Sequence, residues 1–482
     1  MIAALAPWAG AALIFLATAP WSAAVGGGAV LTTALTLGLA GGGGALILFW
    51  SALVGGGWSL TAVFACMLLL GAAGTAVWHI RRRKWAQPPA QPPLGRAEWG
   101  ALALIGIVAA AVLFNSAYFP FAKADALGIY HPAALTMYET GTLEPLIGAE
   151  SLYRTYPILV PLNYTLAYAL AGWEHEYLAK TLAALLSLGC LPAAFLLGRE
   201  IGGRRVGLLT ALILAITPSF VRWASSGYVD LPMAFFYTLT ALFALRFRRG
   251  GGWIDGALAG LMLGFAAFTK NAALIGVPLL AAWLAESLWA SRSAPGLKRR
   301  AGAAVLSLAL CALIAAPWYL RNLAGAGFLI PDTAWTEQAE RSLRTLLIFV
   351  TLTDNFLISG WLMLWGAAAA VWQLARRHRV SNGGHGVIVW FTLPFFAAWW
   401  LFVSYDPRFL LLFTPILCVG GALAAEAVLA RLRLSGSTRV LLAVGMTALA
   451  LYCAFIAVEF KDEIVRHPLM SHEEKIVLVR GG

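Results

Sequence analysis

The chain has 482 residues, of which 61% are hydrophobic and 12% charged. Soluble domains carry about 25% charged residues, so this composition excludes a soluble globular fold and points to an all-α polytopic membrane protein. The formal net charge of +12 sits in short clusters between apolar runs, the positive-inside pattern of cytoplasmic loops, and nucleic-acid binding is not needed to explain it.

A helical crossing needs roughly 20 apolar residues, because backbone groups in hydrocarbon find no water and must pair within the helix. Apolar runs near 3–19, 29–50 and 58–78 predict three N-terminal spans within residues 1–80, rich in Gly and Ala. The first 78 residues hold no charged side chain; they lack the basic start of a cleavable signal and are read as retained spans. Nothing in them is polar enough to react. They are expected to be lipid-facing scaffold or an assembly surface, dispensable for chemistry.

Residues 81–97 form a boundary, because the stretch RRRKWAQPPAQPPLGR is basic and proline-rich, and proline favours extended chain. A larger module follows over 98–459. It opens with a span at 98–118 and a long polar excursion, 119–177, predicted to carry amphipathic helices. Runs near 178–198, 206–223, 229–246, 254–270, 272–290, 301–320, 356–375, 387–404, 409–430 and 439–459 complete a core of about 11 spans, hence about 14 in all. Residues 460–482 form a tail.

Alternating sides from the basic linker puts every basic cluster in the cytoplasm: Arg81 to Lys84, Arg199 to Arg205, Arg246 to Arg249, Lys298 to Arg300, Arg376 to Arg379 and Arg431 to Arg439. The excursion 119–177, a second large loop 321–355, the short turns 224–228 and 405–408, and the tail then face outward. The five cysteines fall inside apolar runs without paired spacing, so neither a disulfide framework nor a zinc site is indicated.

The residues that break the apolar pattern collect at the outer ends of spans. Asp125 lies in PFAKADALGIYHPAALTMYETG; Arg222 and Asp230 in VRWASSGYVDLPMAFF; Lys270 in FAAFTKNAALIG; Arg321 in APWYLRN; Asp406 and Arg408 in SYDPRFLLLFTP. An ionisable group at the membrane boundary is costly unless it meets water or a partner, so each is either a functional candidate or a member of a salt bridge. His131 and Glu139 read as bystanders, since no ligand set stands at metal spacing. A carboxylate at a water-exposed mouth beside fixed cations suits displacement of a phosphate leaving group: the carboxylate takes a proton from an acceptor hydroxyl and the cations stabilise the departing anion. That phosphate could stay attached to a lipid held between the spans.

Seven stretches in this order and sidedness carry a family resemblance: DALGIYHPAALTMYETG; YPILVPLNYTLAYALAG followed by EYLAK; GREIGGRRVGLLTALILAITPSF; SSGYVDLPMAFF; GFAAFTKNAALIGVP; APWYLRN; and YDPRFLLLFTPIL. Over roughly 98–430 the chain resembles the membrane glycosyltransferases of the GT-C fold, in the branch of protein O-mannosyltransferases and lipid A aminoarabinose transferases. The resemblance implies a GT-C-like core with three extra N-terminal helices. It also implies transfer from a polyprenyl-phosphate sugar to a hydroxyl of a glycan, lipid or protein acceptor, at the outer face of the cytoplasmic (inner) membrane and usually with inversion. It assigns Asp125 as general base with Tyr130 beside it, and Asp230 as a second acid that orients substrate or helps bind a cation. Lys270, Arg321 and Arg408 become partners of the lipid phosphate, with Arg222 a further substrate-binding candidate. The family often pairs acids in the first loop, whereas here Ala124 precedes Asp125, so a divalent cation is left open and no other cofactor is expected. The alternative reading is a transporter or flippase of lipid-linked sugars. It would need polar groups through the middle of the bilayer and is disfavoured by the absence of an internal repeat.

Overall fold

The computed structural model describes residues 2–82, 92–143, 155–293, 296–330, 337–377, 384–432 and 435–481. Arg83, Lys84, most of the proline-rich linker, the middle of the first loop, Arg379 and Arg433 lie outside the described residues. Among the described residues all regular secondary structure is helical.

Helices α1 (Ile2–Val25), α2 (Ala29–Gly55) and α3 (Leu60–Arg82) precede α4 (Arg96–Tyr118), the first span of the core. After α4 the chain makes a π turn at Ala126–Tyr130, then α5 (His131–Thr140) and α6 (Leu159–Ala171). Then come α7 (Glu176–Leu188), α8 (Cys190–Ala215), the short α9 (Pro218–Ala224), α10 (Asp230–Arg248), α11 (Trp253–Thr269), α12 (Gly276–Ala290) and α13 (Leu297–Ala326). Two single turns, α14 (Leu343–Leu346) and α15 (Ile348–Thr351), lead into α16 (Thr353–Arg377), α17 (Gly384–Phe402), α18 (Thr414–Arg431) and α19 (Gly436–Ala457). The tail adds α20 (Lys461–Arg466) and α21 (His472–Arg480).

Eleven stretches of the described residues are long and apolar enough to cross a membrane. One of them, Glu176–Ala215, runs for 40 residues, about twice what a crossing requires. It doubles back inside α8 at Gly203, whose φ of +85° only glycine adopts without strain. The two arms press together: a Cβ on Gly207 would sit 2.6 Å from the Phe195 carbonyl oxygen. The two arms correspond to the runs near 178–198 and 206–223, while α10 and α11 occupy those near 229–246 and 254–270 and are not among the eleven.

At the centre stands α10, buried on every side from Asp230 to Leu245. A helix that is apolar all round belongs in an interior. Its Thr238 and Thr240 hydroxyls bond back to the Ala234 and Phe236 carbonyls, so neither needs a partner on another helix.

The N-terminal helices are part of this core. A Cβ on Gly42 of α2 would lie 2.5 Å from the Phe265 ring of α11, and one on Gly41 would lie 2.8 Å from Leu186 of α7. The missing side chains let α2 approach those helices closely. Asn163 of α6 donates to the Gly41 carbonyl at 3.1 Å, and Phe49 meets Phe268 edge to face at 5.2 Å. In the turn after α2, Trp58 donates through its backbone N–H to Gly141 and through its indole to Met137, at 2.9 and 2.8 Å. The end of α5 is thereby fastened to the N-terminal trio.

Candidate active site

Asp230, Lys270, Asp125 and Arg408 come together at one end of the bundle, and the arginines that close α10 stand at the other. Asp230 is the first residue of α10, where the helix dipole favours a carboxylate, and it is fully buried. Such a charge persists only if paired. Lys270 supplies the pairing: α11 ends at this residue, its backbone turns extended (φ −157°, ψ 141°), and its ammonium lies 2.6 Å from Asp230 Oδ1.

Arg408 enters from a 3-10 turn, Pro407–Leu412, between α17 and α18. Asp406 caps that turn, accepting from the Arg408 backbone N–H at 2.8 Å, and its carboxylate also meets the guanidinium at 3.1 Å. The same guanidinium donates to Asp125 Oδ2 at 2.6 Å and lies 3.7 Å from Asp230 Oδ2. Its flat faces rest on Tyr228, Trp223 and Phe409, with ring centroids 4.8, 5.3 and 5.6 Å away. Burial opposes the charge of Arg408, yet the carboxylates of Asp230, Asp406 and Asp125 outweigh it and hold the guanidinium above its ordinary pKa.

Asp125 sits at the start of the π turn. Its backbone N–H donates to the Tyr228 hydroxyl at 2.9 Å, fixing the loop to the Gly227 turn that precedes α10. Tyr130 ends the π turn, buried, with its ring 6.1 Å from that of Tyr228. Burial and the nearby Asp230 and Asp125 charges push its hydroxyl well above the usual tyrosine range, so it is a neutral hydrogen-bond donor.

These groups open onto a cavity of about 760 Å³. Asp125, Tyr130, Tyr156, Lys270, Tyr405, Asp406 and Arg408 line its polar end, while Phe395, Trp399 and Phe402 of α17 and the following Val403, with Leu274 and Ile275, form an apolar wall. The site is amphiphilic in shape: ionic at one end, hydrocarbon-like along one side.

Two of the residues singled out in the sequence are elsewhere. Arg222 of α9 donates to Asn355 Oδ1 at 3.3 Å and does not line the cavity; its neighbour Trp223 makes the contact with Arg408. Arg321 of α13 does not line the cavity either; it donates to the Leu143 carbonyl at 2.6 Å and is stacked on Trp318, with Nε and Nη1 buried and without partners among the described residues. Adjacent to it, Trp318 and Asn322 hold the Thr155 carbonyl at 3.1 and 2.8 Å, which places Tyr156 in the cavity wall. Tyr228, Tyr156 and Tyr405 were missed from sequence, where an aromatic near a span end reads as part of the interfacial belt.

One group of ligand-type side chains lies nearby: His131, Glu174 and Glu176 present atoms within 4.8 Å of one another. Their hydrogen bonds are directed within the protein. His131 bonds the Tyr168 hydroxyl at 2.8 Å and meets Glu174 at 3.0 Å, while Glu176 receives Arg480 and the Phe121 N–H.

The crystal structure of ArnT from Cupriavidus metallidurans bound to undecaprenyl phosphate superposes with a TM-score of 0.53 at 22% identity, over 79% of this chain and 67% of that one. The chain has the GT-C fold. The apo form of the same ArnT aligns with a TM-score of 0.54 and 20% identity over 78% of this chain. The family model for dolichyl-phosphate-mannose-protein mannosyltransferases matches residues 97–327, which covers the GT-C core from α4 to the end of α13. No curated protein matches the chain. The trio α1–α3, the Arg408 turn and the tail lie outside the matched family region.

Proposed function

We propose that the protein is a membrane glycosyltransferase that moves a sugar from a polyprenyl-phosphate donor to an acceptor hydroxyl at the outer face of the membrane, with inversion. The observation that carries this reading is the cavity itself, in which Lys270 and Arg408 stand beside Asp125 at the polar end and α17 offers an apolar wall. A phosphate with a long hydrocarbon tail matches both ends; a soluble phosphate matches one.

In the proposed reaction Asp125 accepts the proton of the acceptor hydroxyl as its oxygen attacks the anomeric carbon. The bond from that carbon to the phosphate oxygen breaks, and the leaving polyprenyl phosphate keeps the electron pair. A single displacement inverts the anomeric centre. The phosphodiester donor carries one negative charge and the released monoester two, so Lys270 and Arg408 bind the departing group more strongly as the bond breaks, which is where stabilisation lowers the barrier. Tyr130 donates to the same region. Asp230 holds Lys270 in place. The proposed reaction needs no metal ion, and turnover in the presence of a chelator tests this.

The relatives support the donor class: ArnT is seen with undecaprenyl phosphate, and the matching family model is named for a dolichyl-phosphate-linked sugar. The purified protein is to be incubated with a panel of polyprenyl-phosphate sugars and hydroxyl acceptors, and released polyprenyl phosphate measured. Acceptor-dependent release supports the transferase. Movement of intact donor across liposome membranes without release would establish the flippase reading instead.

A further inference from the structure

The loop that carries Asp125 begins where α4 ends, and its first residues are held by side chains from α7. Lys180, fully buried, donates to the carbonyls of Phe119 and Pro120 at 3.3 and 3.0 Å. Glu176, also buried, accepts from the Phe121 N–H at 2.9 Å. Three successive backbone groups, ending four residues before Asp125, are thus fixed by two buried charges.

Each of those charges is answered from the C-terminal segment. Arg480, on the last turn of α21, donates to both carboxylate oxygens of Glu176 at 2.6 Å. Glu459, just after α19, lies 4.0 Å from Lys180 and 2.7 Å from Lys123, on the loop itself. Between these anchors the segment follows the end of α4. The Glu459 N–H donates to the Asn115 side chain at 2.9 Å, and the Tyr118 hydroxyl donates to the Pro468 carbonyl at 2.9 Å. Lys475 sits over the Tyr118 ring at 3.7 Å. A segment remote in sequence therefore contacts the junction of α4, the loop and α7 from end to end. Buried charges that lose their partners are strongly disfavoured, so these contacts are coupled to the conformation of the loop start.

We propose that residues 457–480 form a strap that positions the Asp125 loop, with Arg480 and Glu459 acting through Glu176 and Lys180 as positioning residues. The geometry of the strap stands on its own; its effect on turnover rests on the transferase reading above. The strap sets where Asp125 lies and does not touch the cavity, so its loss lowers the rate of the chemical step and leaves donor binding in place.

Hydrogen exchange of the full-length protein in lipid nanodiscs, read at residues 119–125, tests the positioning directly. Arg480→Ala is expected to raise exchange there about tenfold or more, the size of effect that follows from losing a charge-assisted hydrogen bond, and Arg480→Lys to restore most of the protection. With a polyprenyl-phosphate sugar as donor, kcat should fall in Arg480→Ala while the donor KM stays within about twofold of wild type. Unchanged exchange in Arg480→Ala overturns the strap, and raised exchange with unchanged kcat overturns its positioning role. If Arg480→Ala does not fold, Tyr118→Phe removes only the hydroxyl donated to Pro468 and is judged by the same two criteria. A wild-type protein that turns over no donor refutes the transferase reading, and the exchange data still decide whether the strap holds the loop.

Discussion

Arg408 and Asp125 meet at 2.6 Å across 283 residues of sequence. The first of these residues is fixed from beneath by aromatic rings and from the side by Asp406, so it acts as a rigid post against which the Asp125 loop is registered. Replacing Asp125 by Asn keeps the side chain's size and a hydrogen-bond acceptor but removes the proposed base. Sugar transfer is expected to fall by about 10²- to 10⁴-fold in kcat, with donor affinity kept or raised because a carboxylate that competes for Arg408 has lost its charge. Single-turnover kinetics and a melting curve on the same preparation check this; a rate near wild type removes Asp125 from the base role.

Lys270 has two duties, and they can be separated. Its ammonium neutralises the buried Asp230 and, in the proposed reaction, binds the donor phosphate. Lys270→Met should destabilise the protein by about 3 kcal/mol or more, because a buried carboxylate loses its nearest cation. Adding Asp230→Asn should restore much of that stability and none of the donor affinity. Recovery of donor binding in the double variant would assign Lys270 to structure alone.

The packing of α2 changes what is expected of the N-terminal helices. A chain beginning at Arg96 would uncover α6 and the faces of α7 and α11 that Gly41 and Gly42 now touch. Such a chain is expected to be unstable in detergent, and Gly42→Leu in the full-length protein to lower stability by about 1–3 kcal/mol through collision with Phe265. A stable, well-behaved chain from Arg96 onward would show that the trio is accessory after all.

Glu459 gives the strap a pH dependence whose sign is fixed. Burial opposes its charge, but Lys180 and Lys123 outweigh it and hold its carboxyl below the ordinary value of 4.5. The unfolded chain therefore takes up the proton more readily. The stabilisation from Glu459 is present above that ordinary value and is lost as pH falls through the lower, folded one. Glu459→Gln should flatten the acid side of the stability profile, and an unaltered acid limb would place the acid-sensitive group elsewhere.

The sequence made the charged part of the site legible because a charge inside an apolar run is expensive and conspicuous. Asp230 and Lys270 stand out in this way, and their contact follows from both lying at the same end of consecutive spans. Arg222 gave the same signal as Arg408 and met a different fate. On α9 it and Trp223 point about 100° apart, and which of two neighbours faces the cavity is decided by packing, not by residue type. The glycines of α2 were opaque for a related reason. A small-residue stripe looks alike whether it faces lipid or Phe265, so periodicity could not reveal that α2 is embedded in the core. The strap was invisible because its partners are separated by hundreds of residues and each, taken singly, reads as an ordinary surface charge.

The guanidinium of Arg408 already has its counter-anions in place. An incoming phosphate therefore cannot gain the full attraction of a bare cation; it gains only the difference between itself and the carboxylates it competes with. For inorganic phosphate or a free sugar phosphate that difference is small. A ligand must bring a second source of free energy, and the hydrocarbon-like wall along α17 offers one worth roughly 25 cal/mol for each Å² of tail it covers. In such a site the resting ion pairs act as a filter, turning away the water-soluble phosphates that outnumber any lipid-linked sugar.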